Sequence, residues 1–171
     1  MSKTGNEAPP PKNARVLGDP ADRVRAFLQG EATLGDVYGL THEELYGIAG
    51  QGKRLFDAGQ LDDAFKVFEG LVALNPYDYN FHVGLGAVLQ RQGKLDQALL
   101  EYDRALQLNE RDVAAYANRA EVLMEKGEIQ RAIDDLAAVA RLDPEAKDPH
   151  ARRARAMAVA LTEVAKQKSA R

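Results

Sequence analysis

The chain contains no cysteine, which excludes a disulfide framework, a thiolate nucleophile and any cysteine-based zinc site. It also lacks an apolar run approaching the ~20 residues that span a bilayer, so no stable membrane insertion is expected. Met1 to Asn13 is polar and proline-rich with no apolar core, unlike a secretory signal. A cytoplasmic protein is expected, with residues 1–18 as a disordered tail. Excess charge of one sign is absent too. The formal net charge is only −3, which argues against a nucleic-acid partner. Histidine is limited to His42, His82 and His150, far apart in sequence, and a metal site would need the fold to gather them.

What is present is a repeat. Gly59, Gly93 and Gly127 stand 34 residues apart, and their surroundings recur with them. Leu61, Leu95 and Ile129 come two residues later, and Ala64, Ala98 and Ala132 come five later. Phe68, Tyr102 and Leu136 follow, then Leu74, Leu108 and Leu142. Gly52, Gly86 and Ala120 form a small-residue column, whereas Gln51, Leu85 and Arg119 form a poor one. Pro76 and Pro144 close the first and third units, with Glu110 in the second. A period of this length belongs to a two-helix repeat that stacks on copies of itself. Short side chains are needed wherever two helix backbones approach closely.

This pattern resembles the tetratricopeptide repeat, over units 45–78, 79–112 and 113–146. The resemblance implies an all-α fold, three tandem repeats in a right-handed superhelix with an N-terminal helical segment and a C-terminal capping helix. Local signals agree. Asp19-Pro20 starts a short helix carrying Val24, Phe27 and Leu28 and stopping at Gly30, and Thr33 to Tyr38 can form a further turn. The capping-box spacing of Thr41 and Glu44 opens the first repeat helix. That helix holds Gly47, Gly50 and Gly52, which signal either close packing or a soft helix. Periodicity predicts helices over 61–74, 79–92, 95–108, 113–126 and 129–142. Asp148-Pro149 starts a last helix to about Lys166, whose Ala154, Met157, Ala158, Leu161 and Val164 can cover the end of the stack. The expected organisation is a tail (1–18), a helical segment (19–40), a repeat domain (41–146), and a capping helix with a basic tail (147–171). From Lys147 onward there are seven Lys and Arg against two Asp and Glu. This excess suits a helix C-terminus, the alternative being contact with an acidic partner or membrane surface.

No motif supports catalysis, a cofactor or a metal. Gly84-Leu85-Gly86 lies inside a predicted helix with no preceding strand, so close helix packing explains it better than a phosphate loop. Asp62-Asp63 and Asp134-Asp135 fall at helix starts or on exposed faces. A repeat stack instead functions by binding. In the repeat register the groove is lined by Tyr46, Ala49, Lys53 and Phe56 in the first unit. Asn80, Val83, Ala87 and Gln90 follow in the second, and Ala114, Ala117, Glu121 and Met124 in the third. Small residues with a few apolar contacts can hold an extended peptide. Related domains that grip a C-terminal carboxylate use Lys, Arg and Asn, but those places hold Ala49, Lys53, Gly84, Ala114 and Asn118. Only fragments of that charge set are present.

Phe27-Leu28-Gln29-Gly30, Thr33-Leu34 and Leu40-Thr41 resemble the N-terminal region of class II type III secretion chaperones. Leu74-Asn75-Pro76-Tyr77-Asp78 and Phe81-His82-Val83-Gly84-Leu85-Gly86-Ala87 resemble that family's corner between repeats one and two. The resemblance implies a cytoplasmic, non-catalytic chaperone that needs no nucleotide. Its client would be an extended apolar segment of a secreted translocator, and it would form a homodimer through residues 19–38. That family usually carries aromatics on the first groove helix, where this chain has Ala49 and Lys53 and keeps Phe56. The alternative is a tetratricopeptide scaffold or regulatory adaptor in another bacterial assembly.

Overall fold

Short polar side chains cap the first helix of each repeat and the two short helices before them. The second helices start at Gln60, Lys94 and Glu128 with no side-chain cap. The computed structural model describes residues 19–169; the expected tail 1–18 lies outside the described residues. Every regular element among them is an α-helix, and they divide into one unit ending at Tyr77 and a second starting at Asp78.

In the first unit Asp19 caps α1 (Pro20–Leu28), its carboxylate accepting from the Ala21 N–H at 2.9 Å. Thr33 and Asp36 form a capping box on α2 (Leu34–Val37), and Thr41 and Glu44 form another on α3 (His42–Asp57). Hydrogen bonds from the Thr41 backbone and hydroxyl hold the Glu44 carboxyl below its ordinary range. α4 (Leu61–Leu74) packs on α3 where Gly52 leaves room. A Cβ at Gly52 would stand 2.8 Å from Val67 and 2.9 Å from Phe68. Gly47 has nothing within 4 Å and Gly50 meets only the Arg54 guanidinium, so close packing accounts for Gly52 alone of the three.

The second unit holds α5 (Tyr79–Arg91), α6 (Leu95–Leu108), α7 (Val113–Glu125), α8 (Ile129–Leu142) and α9 (Pro149–Ser169). Asp78 and Asp112 cap α5 and α7. Gly86 repeats the device of Gly52: a Cβ there would lie 2.7 Å from the Tyr102 ring, which is fully buried. In the last repeat Ala120 and Leu136 share one buried cluster, with alanine where the other first helices have glycine and leucine where the other second helices have a ring. The Asn109 side chain accepts from the Arg111 N–H at 3.1 Å, as Asn75 does from Tyr77. That shared turn explains why Glu110 can stand where a proline was expected.

The 34-residue glycines have a common cause. Gly59, Gly93 and Gly127 follow α3, α5 and α7 with φ between 74° and 78°. Their amides bond to Phe56, Gln90 and Met124, and the next amides bond back to Leu55, Leu89 and Leu123. This is the helix-ending motif that requires a left-handed residue. It ends α5 and α7 one residue earlier than periodicity predicts.

α9 covers α7 and α8 with Ala151, Ala154, Met157, Ala158 and Leu161. Val164 lies outside the described side chains. The basic residues at its start act locally: Arg152 donates to the Ala146 and Lys147 carbonyls, and Arg155 to Pro144 at 2.7 Å. The poor column also resolves. Gln51 is exposed, Leu85 is buried, and Arg119 is held between Asp135 (2.6 and 2.8 Å) and Asp103 (2.6 Å). Burial opposes the Arg119 charge, but the hydrogen bonds and charges of Asp135 and Asp103 prevail and raise its pKa. Asp135, expected on an exposed face or at a helix start, is instead 5% exposed and paired.

Two outcomes follow for stability, both read by urea unfolding. Gly86→Ala lowers stability by about 1–3 kcal/mol, since the ring must move, whereas Gly70→Ala, with open space around it, raises it by about 0.5–1 kcal/mol. Equal effects at the two sites contradict the close-packing account. Arg119→Met costs about 3–5 kcal/mol because it strands a buried carboxylate. Adding Asp135→Leu recovers part of that loss; a fully additive double variant rules out the pairing.

Candidate functional site

A first helix in this fold has one face against its own second helix and another left uncovered. In the first unit, α3 presents Tyr46, Ala49, Lys53 and Phe56. Tyr46 stacks on His42 with ring centroids 4.3 Å apart, Ala49 and Phe56 are half-buried, and Lys53 pairs with Asp57 at 2.6 Å. The lysine is thereby engaged one turn along its own helix.

In the second unit α5 and α7 pack on each other, so their predicted residues come together. Asn80 is exposed, and Val83, Ala87 and Gln90 are half-buried along α5. Val83 also packs against Ala105, Leu106 and Ala115. On α7, Ala114, Glu121 and Met124 are half-buried. Ala117 is different: at 0% exposure it belongs to the core with Leu136, Val139, Ala151 and Ala154, and offers no surface to a ligand. The physical reason is α9, which packs on α7 and closes over that position.

Sequence reasoning missed the polar groups beside this face. The Tyr102 hydroxyl reaches across from α6 and donates to Gln90 Oε1 at 2.9 Å. Burial pushes the Tyr102 phenol well above its ordinary value, while the Arg153 charge and a hydrogen bond from the Asn118 side chain oppose that rise. Asn118 in turn accepts from Arg153 on α9, whose other guanidinium nitrogen lies 3.5 Å from Glu121. The signal in the sequence was only a tyrosine in the second-helix column. That its hydroxyl crosses to the first-helix face depends on Gly86 letting the ring lie close.

The histidines have separate surroundings. His82 is buried with Nδ1 2.7 Å from Glu101 Oε2, His42 stacks on Tyr46, and His150 lies in the first turn of α9. Among the described residues no three His, Cys, Asp or Glu side chains gather as a metal site would need. None of the described helices is long and apolar enough to cross a membrane.

Comparison with known proteins matches these features. The family model for the TPR repeat matches residues 91–127, and that for the tetratricopeptide repeat matches 113–145. Low calcium response locus protein H of Yersinia pestis is 37% identical over 70 residues, which are 39% of this chain and 40% of that relative. The type III secretion translocator chaperone SycD of Yersinia enterocolitica superposes with a TM-score of 0.68 at 27% identity, covering 75% of this chain and 98% of SycD. PcrH of Pseudomonas aeruginosa has a TM-score of 0.65 at 30% identity, covering 72% of this chain and 95% of PcrH. PcrH has been solved with the chaperone binding regions of PopB and PopD, and SycD with a peptide of the translocator YopD. Matched along nearly the whole of PcrH and carrying the repeats in register, the chain belongs to the tetratricopeptide-repeat family of type III secretion chaperones.

Proposed function

We propose that this protein is a cytoplasmic, non-catalytic chaperone that holds an extended apolar segment of a secreted translocator and keeps it soluble before export. One observation carries the reading: proteins of the same fold, PcrH and SycD, have been solved with translocator segments bound. The face of α5 and α7 suits such a client. Val83, Ala87 and Met124 leave shallow apolar relief, into which side chains of an extended strand can enter. The histidines and the Asp103–Arg119–Asp135 cluster have structural partners, which supports binding over bond chemistry. Aromatic area on α3 is limited to Tyr46 and Phe56, so the client held there has less ring surface to meet.

Self-association has its own support. SycD is known in more than one dimer form. Here α1 exposes Val24, Phe27 and Leu28, the last at 78%. Three apolar side chains on one short helix favour burial against a second copy.

Two experiments test these readings. The tagged chain is captured from cytoplasm of its native cell, where the expected companion is a protein with long apolar segments that aggregates when released. Ala87→Trp fills the α5 face and abolishes that capture while leaving the circular dichroism spectrum unchanged; a soluble assembly without apolar segments, retained by Ala87→Trp, moves the protein to a scaffold role. Separately, the Phe27→Asp, Leu28→Asp double variant halves the mass measured by light scattering. The same mass for variant and native chain excludes α1 as the interface.

A further inference from the structure

The polar groups beside the α5–α7 face form a directed chain. Arg153 donates to Asn118, and the Tyr102 hydroxyl, beside Asn118, donates to Gln90 Oε1 at 2.9 Å. With its oxygen committed to a phenol, the Gln90 carboxamide is fixed in orientation, and its Nε2 is turned to the other side. No group among the described residues accepts from that nitrogen. Gln90 is half-buried and sits one turn beyond Ala87, three residues on, along the helix whose face the client would cover. An N–H donor covered by a bound segment without an acceptor is unfavourable. An extended strand, however, presents a backbone carbonyl at regular intervals, so one can meet this donor whatever side chains the strand carries.

We infer that Gln90 is a further client-binding residue, whose Nε2 donates to a backbone carbonyl of the bound extended segment and holds its main chain against α5. Tyr102 is a positioning residue: it touches no client and holds the carboxamide with the donor outward. Polarisation along the chain from Arg153 strengthens that donor. The proposal rests on the chaperone reading given above. It adds that recognition on this face includes one directional hydrogen bond to main chain, so a client with different side chains but the same backbone path is accepted.

The test uses full-length protein and three labelled synthetic peptides: the chaperone binding regions of PopB and PopD, and the YopD peptide. Affinity is read by fluorescence anisotropy. Gln90→Glu keeps an acceptor for the Tyr102 hydroxyl and replaces the donor with a second acceptor, so it preserves the local fold. The expected result is binding by the native chain, loss with Ala87→Trp, and about tenfold weaker binding with Gln90→Glu. Gln90→Leu weakens binding to a similar degree. Tyr102→Phe weakens it by a smaller factor in the native background and has no further effect on Gln90→Leu, a coupling that a purely structural role for the tyrosine does not produce. Unchanged affinity in both Gln90 variants, with Ala87→Trp still inactive, overturns the role of Gln90 and leaves the chaperone reading intact. If none of the three peptides binds, or Ala87→Trp binds as tightly as the native chain, both readings fall together.

Discussion

Where the Tyr102 ring lies over Gly86, a methyl group on the glycine would come within 2.7 Å of it. The two helices of that repeat are therefore set by the size of a side chain that is absent. The first repeat uses the same pairing, Phe68 and Val67 over Gly52. The last repeat keeps the arrangement with a slightly larger residue, Ala120, on the first helix and a slightly smaller one, Leu136, on the second. Volume is conserved across the contact even though neither residue is, as dense packing requires. Much else is downstream of this contact. It fixes how near α6 approaches α5, and so whether a hydroxyl on α6 can reach Gln90 on the opposite face.

Much of the fold was legible in the residues because its limits are set locally. A cap such as Asp78 or Thr41 acts on amides two or three positions away, and Gly93 ends α5 through bonds spanning one turn. Such signals survive in a linear reading. The parts that were not legible depend on meetings between helices. Arg119 looked like a flaw in its column until Asp103 and Asp135, each sixteen residues away, were seen to flank it. Ala117 had a groove position by register but lies under α9, because the capping helix takes the place that solvent would otherwise occupy. Arg152 and Arg155 belong to a charge excess that suits a helix C-terminus, yet they stand near the start of α9 and donate to carbonyls of the preceding corner.

The α5–α7 face proposed for the client shows the same division. Its apolar part, Val83, Ala87 and Met124, could be placed by counting residues, since the repeat period carries each to an equivalent spot. Its polar part draws on α5, α6, α7 and α9 together, and no single segment contains it. Small residues make the face permissive, and a few fixed dipoles give it direction.

The corner before α9 departs from the earlier ones. α7 begins at Val113 and α9 at Pro149, a step of 36 residues against 34 from Tyr79 to Val113. Ala146 absorbs the difference with φ at 51°, a conformation alanine adopts at a cost. A chain of this design can lengthen by duplication at its regular joints, Asn75 to Asp78 and Asn109 to Asp112, which share one turn and one cap. A copy made across the final joint would carry the two surplus residues and the left-handed alanine into the interior of the array, turning every later helix out of phase with those before it. The last corner thus works as a terminator of the repeat spacing.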